Sequence, residues 1–152
     1  MSPNMRALLA SIAWAEGADY NTIVTGIGGK PETFTDFSTH PFVHRPAKLI
    51  NSRGLKSTAS GRYQILLANW LHYAPLLGLK DFGPASQDAI AVQMISEKGA
   101  IASIEAGDFA TAILRIKKLW ASLPGAGYAG QPEKPYLQLL ATYKQAGGAV
   151  RA

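Results

Sequence analysis

A chain of 152 residues with 47% hydrophobic side chains is long and apolar enough to bury one core without cross-links, so a single compact domain over 1–152 is expected. It has no cysteine, which excludes disulfides and thiolate metal sites. Its formal charge of +5 suits a polyanionic partner, and no stretch is apolar for the width of a bilayer, which argues against stable membrane insertion.

In chain order, Ser2 is placed to cap a helix with Pro3 at its first position. Met5, Leu8, Leu9, Ile12 and Ala13 then share one apolar face until Gly17 stops the helix. The opening Met1-Ser-Pro-Asn-Met-Arg6 lacks the basic start, apolar run and small-residue cleavage site of a signal peptide, so accumulation in the cytoplasm is expected. From Asp19 to about Ser60 the helical period disappears. β-formers at Thr22 to Val24 and Thr33 to Phe37, separated by Gly26, Gly28, Gly29 and Pro31, predict a small hairpin lobe (19–59), followed by an irregular, proline-containing loop.

Helices resume after Gly61. They are predicted at Tyr63 to Tyr73, Ala85 to Lys98, Ala100 to Glu105, Asp108 to Ser122 with Asp108 as N-cap, and about Glu133 to Ala146, ending at Gly147-Gly148. The expected fold is α+β and mostly helical. A small β lobe and a larger helical lobe (1–18 and 60–152) flank a cleft, the natural place for a polymer to bind.

Glu16 continues the stripe of Leu9 and Ile12 at the point where the first helix ends. Partial desolvation and the negative end of the helix dipole both raise a carboxyl pKa, which is what a general acid needs near neutral pH. Helix position alone favours an ordinary solvated Glu at a frayed end. A second motif changes the weight. Lys56-Ser-Thr-Ala-Ser-Gly-Arg-Tyr-Gln64 places the hydroxyls of Ser57, Thr58 and Ser60 and the amide of Gln64, read as opening a helix, in one strip suited to hydroxyl-rich and acetamido-bearing ligands. Flat apolar faces for sugar rings are expected from Tyr63 and Tyr128, whereas Trp70 at helical spacing reads as core.

Eight ordered segments spanning nearly the whole chain resemble the lambda-type bacteriophage endolysins, which are lytic transglycosylases with a lysozyme-like fold. They begin with Ala13-Trp-Ala-Glu-Gly17, Phe34-Thr-Asp-Phe37, Leu55-Lys-Ser-Thr58 and Gly61-Arg-Tyr-Gln64. Leu77-Gly-Leu-Lys-Asp-Phe82, Ser86-Gln-Asp88, Trp120-Ala-Ser-Leu-Pro-Gly-Ala-Gly-Tyr128 and Gln145-Ala-Gly-Gly148 follow. The resemblance implies cleavage of peptidoglycan between N-acetylmuramic acid and N-acetylglucosamine, for host cell lysis. The muramic 6-hydroxyl would attack its own anomeric carbon to leave a 1,6-anhydro end, with Glu16 as the catalytic acid and base. It also implies no cofactor, a monomer, and export to the periplasm that depends on a holin.

The rival on the same scaffold is a hydrolytic muramidase pairing Glu16 with Asp36, since hydrolysis usually needs a second carboxylate. Hydrolytic phage lysozymes of the T4-like kind carry an Asp nine residues after the acid. Here that position is Thr25, which favours the transglycosylase. A non-catalytic glycan- or nucleic-acid-binding module is the alternative of another class; no nucleic-acid motif accompanies the charge, so no nucleic-acid partner is expected. No acid lies between Phe37 and Lys80, and the basic segment from Arg45 to Arg62 is read as a surface attracted to anionic wall and outer-membrane polymers, with a solvated face and a DNA-binding patch as the alternatives. His40 and His44 are discounted as metal ligands, and Gly26-Ile-Gly-Gly29 as a phosphate loop.

Overall fold

The computed structural model describes residues 1–151 and confirms a mostly helical α+β chain with small antiparallel sheets. The chain forms two compact units, one made of Met1–Gly17 and Ala91–Ala152 and the other of Ala18–Ile90.

In the first unit, α1 (Pro3–Glu16) starts as the sequence predicts. Ser2 is extended and its Oγ accepts from Met5 N at 3.0 Å, a cap that contributes about 1 kcal/mol. The helix closes on Gly17, at φ 62°, whose N–H returns to the last carbonyls. Leu8, Leu9 and Ile12 are fully buried, and α1 packs against α4 (Ile101–Glu105) and α6 (Tyr136–Gln145). Asn4 ties the start of α1 to both ends of the unit, donating to Ile104 O and accepting from Ala149 N. Asp108 caps α5 (Phe109–Ile116) through Thr111 N, and Phe109 stacks on Tyr143 of α6 at 4.4 Å between ring centroids. α5 is shorter than expected: after Ile116 the chain turns repeatedly, and Trp120 is buried from a turn rather than from a helix.

In the second unit the first hairpin is present but small. β1 (Thr22–Ile23) pairs with β2 (Glu32–Thr33), with Thr22 opposite Thr33. The predicted continuation through Phe37 is not a strand. Phe34 and Phe37 instead pack together at 4.7 Å, with Phe34 reaching the buried Phe82, so burial of the rings outweighs their β-propensity. The loop expected next contains a 3-10 turn, Pro41–Val43, and a second hairpin of β3 (Lys48–Leu49) and β4 (Lys56–Ser57) that the alternation of the sequence does not announce.

The helix predicted at Tyr63 begins four residues later, as α2 (Leu67–Leu77). Ser60 and Ile65 bridge each other across a tight turn, with Gln64 in the left-handed region at φ 49°, and Thr58 Oγ1 accepts from Leu67 N as a cap from a distance. Gly61 has two reasons to be glycine: φ is 81°, and a Cβ there would strike the side chain of Gln87. Gln87, fully buried on α3 (Pro84–Glu97), uses that space to accept from Arg62 N and to donate to Tyr20 O and Phe82 O. All of these residues lie within the second unit.

Candidate active site

Glu16 is the last residue of α1, half-buried, and its Oε2 accepts a 3.0 Å hydrogen bond from Ser122 Oγ. Burial raises its pKa from 4.5 to about 7, partly opposed by that hydroxyl. Near neutral pH the carboxyl therefore populates both its protonated and its ionised form, and a neutral donor faces the ionised one, which is the requirement for a group that gives up a proton and takes one back.

Ser122 belongs to the turns after Trp120. Its carbonyl accepts from Lys134 N at 2.7 Å, and Lys134 Nζ lies 5.4 Å from the ring of Trp14, two residues before the end of α1. Tyr128, on the same loop, keeps its ring exposed, as a sugar platform requires. Its hydroxyl donates to Lys118 O at 2.7 Å, and Lys118 Nζ sits over the ring at 5.1 Å and donates to Ala126 O. Within the first unit the fold thus gathers Glu16 and Ser122 and builds Tyr128 into the loop that carries Ser122.

The strip from Ser57 to Gln64 lies in the second unit, and its polar groups are largely engaged in holding their own turns. Ser57 Oγ accepts from Ala59 N, and the fully buried Ser60 donates to Thr58 O. Thr58 caps α2 as described. Gln64 does not open a helix. Its Nε2 donates to Gly61 O at 2.9 Å and Thr22 O at 3.4 Å. Tyr63 offers no ring face: it is fully buried, its hydroxyl donates to Asp88 Oδ1 at 2.5 Å and accepts from Arg62, and burial followed by that carboxylate pushes its pKa far up. Tyr20 joins the same network through Asp88 and Arg62.

Asp36 is exposed. Its Oδ1 accepts from Ser38 N at 2.9 Å, and the Ser38 side chain and amide hold its carboxyl below the usual range. The basic stretch is less free than its composition suggests, because the first hairpin brings Glu32 to Arg45 at 2.6 Å and to Lys48 at 2.7 Å. A depression of about 330 Å³ lined by Gly26, Ile27, Lys30, Pro31, Glu32 and Lys48 contains none of the predicted site residues. His40 is fully buried with both ring nitrogens used, Nε2 toward Ile65 O and Nδ1 accepting from Phe42 N, so it has no lone pair to offer a metal. Ser122, by contrast, lies in a segment that carries the family resemblance but gave no signal as a partner of Glu16. A serine in a Pro/Gly-rich turn has no periodicity, and its partner lies 106 positions away.

Comparison with known proteins agrees over the whole chain. A family model described as Endolysin matches residues 6–150. The endolysin of Escherichia phage P2 is 51% identical, covering 95% of this chain and 93% of the relative; that of Escherichia phage lambda is 47% identical over 96% and 92%. The solved structure of the bacteriophage lambda lysozyme complexed with a chitohexasaccharide superposes with a TM-score of 0.89 at 46% identity, covering 99% of this chain and 98% of that one. A second structure of lysozyme from bacteriophage lambda gives 0.83 at 41% identity, with the same coverage.

Proposed function

The chain belongs to the endolysin family of enzymes that degrade the bacterial cell wall, and from that premise we propose that it is a lytic transglycosylase with Glu16 as its one acid–base group. Its substrate is the glycan strand of peptidoglycan, cut at the β-1,4 bond between N-acetylmuramic acid and N-acetylglucosamine. The observation that carries this reading is the environment of Glu16: burial raises its pKa to about 7, where it can both give and take a proton near neutral pH, and it faces a hydroxyl rather than a charge.

Protonation of the bridging oxygen by Glu16 makes it a leaving group as positive charge develops on the muramic sugar. The bond to the N-acetylglucosamine oxygen breaks, and Glu16 is left as a carboxylate that Ser122 Oγ stabilises. Glu16 then takes the proton of the muramic 6-hydroxyl as that oxygen bonds to the anomeric carbon, closing the 1,6-anhydro ring and restoring the acid. The proton balance closes on one carboxyl, and no water is activated. Asp36 fits a different role, since its ionised state follows from the turn it holds with Ser38. Tyr128 and the Gln64 carbonyl, with Ser57 and Thr58, are the proposed glycan contacts.

Among the described residues no helix is long and apolar enough to cross a membrane. Accumulation in the host cytoplasm and passage to the periplasm through a holin lesion belong to the same proposal, as does action as a monomer. The test is mass spectrometry of fragments released from purified peptidoglycan, before and after borohydride reduction. Products one water lighter than reducing muropeptides and inert to borohydride are expected; reducible ends would replace the transglycosylase with a hydrolase.

A further inference from the structure

A carboxyl at the last residue of a helix has no neighbouring turn beyond it to restrain its rotamers, so something else must hold Glu16 in place for proton transfer. Its partner Ser122 sits in no helix or strand. That segment continues through Gly125 and Gly127, at φ 79° and 76°, which are conformations a free chain leaves readily. One side chain closes it. Glu133 Oε1 accepts from Gly125 N at 2.8 Å, and its Oε2 accepts from Gly127 N at 2.8 Å. The next residue, Lys134, donates its amide to Ser122 O at 2.7 Å. Two adjacent residues thus grip the loop at three points, on both sides of Pro124. The two glycine amides hold the Glu133 carboxyl below its usual range, with Lys117 and Lys118 as the nearby charges.

We propose that Glu133 is a positioning residue for glycan cleavage: by fixing Gly125 and Gly127 and setting Lys134 N against Ser122 O, it keeps the Ser122 hydroxyl on Glu16 and the Tyr128 ring in place. The proposal rests on Glu16 being the acid. Glu133 itself acts only through the loop. Its removal frees two loop amides, lets Ser122 leave Glu16, and removes a donor that favours the ionised Glu16 carboxyl.

The test compares full-length wild type, Glu133→Ala, Glu133→Gln, Ser122→Ala and the Ser122→Ala/Glu133→Ala double variant, with Glu16→Gln as the separate check on the acid. Two readouts are used: the Glu16 side-chain pKa by carbon-detected NMR titration, and kcat and KM on purified soluble glycan strands. Glu133→Ala is expected to raise the Glu16 pKa and to lower kcat by roughly ten- to a hundredfold, the scale of a misplaced catalytic group, with a smaller change in KM. Glu133→Gln, which keeps one acceptor oxygen, falls between it and wild type. Ser122→Ala reproduces the pKa rise, and the double variant adds nothing to it, as two groups acting through one contact require. An unchanged Glu16 pKa in both Glu133 variants, or additive effects in the double, overturns the proposal. If Glu133→Ala fails to fold, the glutamine variant decides alone. The NMR readout does not depend on catalysis. A shifted Glu16 pKa in Glu133→Ala together with full activity in Glu16→Gln would therefore sink the acid assignment and leave the positioning contact standing.

Discussion

Glu16 at the end of α1 and Asp36 in the turn after β2 carry the same functional group in opposite surroundings. Glu16 meets burial and one hydroxyl, and its pKa climbs to about 7. Asp36 is exposed and bound to Ser38, and its pKa drops. A carboxyl's role in acid–base chemistry is thus set by how much water the fold removes from it and by which donors the fold aims at its ionised form. A hydrolase needs both kinds of carboxyl in service; a transglycosylase needs only the first.

The contrast is sharpened most by Glu16→Gln, which keeps shape and hydrogen-bonding capacity but has no proton to give. Cleavage of purified glycan strands is expected to fall by about a hundred- to ten-thousandfold, the range that general acid catalysis supplies, while binding persists. Rates near wild type would break it. The same substitution has a second, smaller effect on stability. Because the folded-state pKa of Glu16 is raised, its neutral form is fully accommodated below about pH 4.5, and stability is lost as pH rises toward 7 and the buried group must ionise. Glu16→Gln escapes this loss. It should match wild type at pH 4 and exceed it at pH 8 by about 2 kcal/mol, less than the full change in pKa would give because the side chain keeps partial contact with water. Denaturant unfolding at the two pH values checks this, and equal gaps at both would mean that Glu16 is not desolvated. The smallest effect is expected at the other carboxyl. Asp36→Asn should leave kcat/KM within about twofold, as for exposed side chains away from reacting atoms. A loss as large as that of Glu16→Gln would move Asp36 into the reaction and return the hydrolase.

The first unit's α1 was legible from end to end because its signals are local: a Ser-Pro start, an apolar stripe and a Gly stop all lie within one helix. The place of Glu16 was legible for the same reason, as the next position on that stripe, whereas its role came from the second motif and the family resemblance. The second unit was less so. Its strands are two residues long, too short for alternation to register, and they are held by pairings such as Thr22 with Thr33 and Lys48 with Ser57. Tyr63 illustrates the limit. Beside Gln64 it has the polarity of a ligand-facing ring, yet Asp88, twenty-five residues on, takes its hydroxyl and the ring becomes core. The run of cations from Arg45 is similar: Glu32 lies outside it in sequence and beside two of its members in space.

By itself the sequence determined α1 with its cap and stop, the family resemblance and the placing of Glu16 at the end of that helix, since each depends on residue types in short local segments. Tertiary structure alone decided that Glu16 is desolvated, that Ser122 meets it, that Glu133 braces the loop, and that Tyr63 turns inward. Those outcomes depend on the removal of water and on donors and acceptors brought together from distant parts of the chain, and no local pattern encodes them.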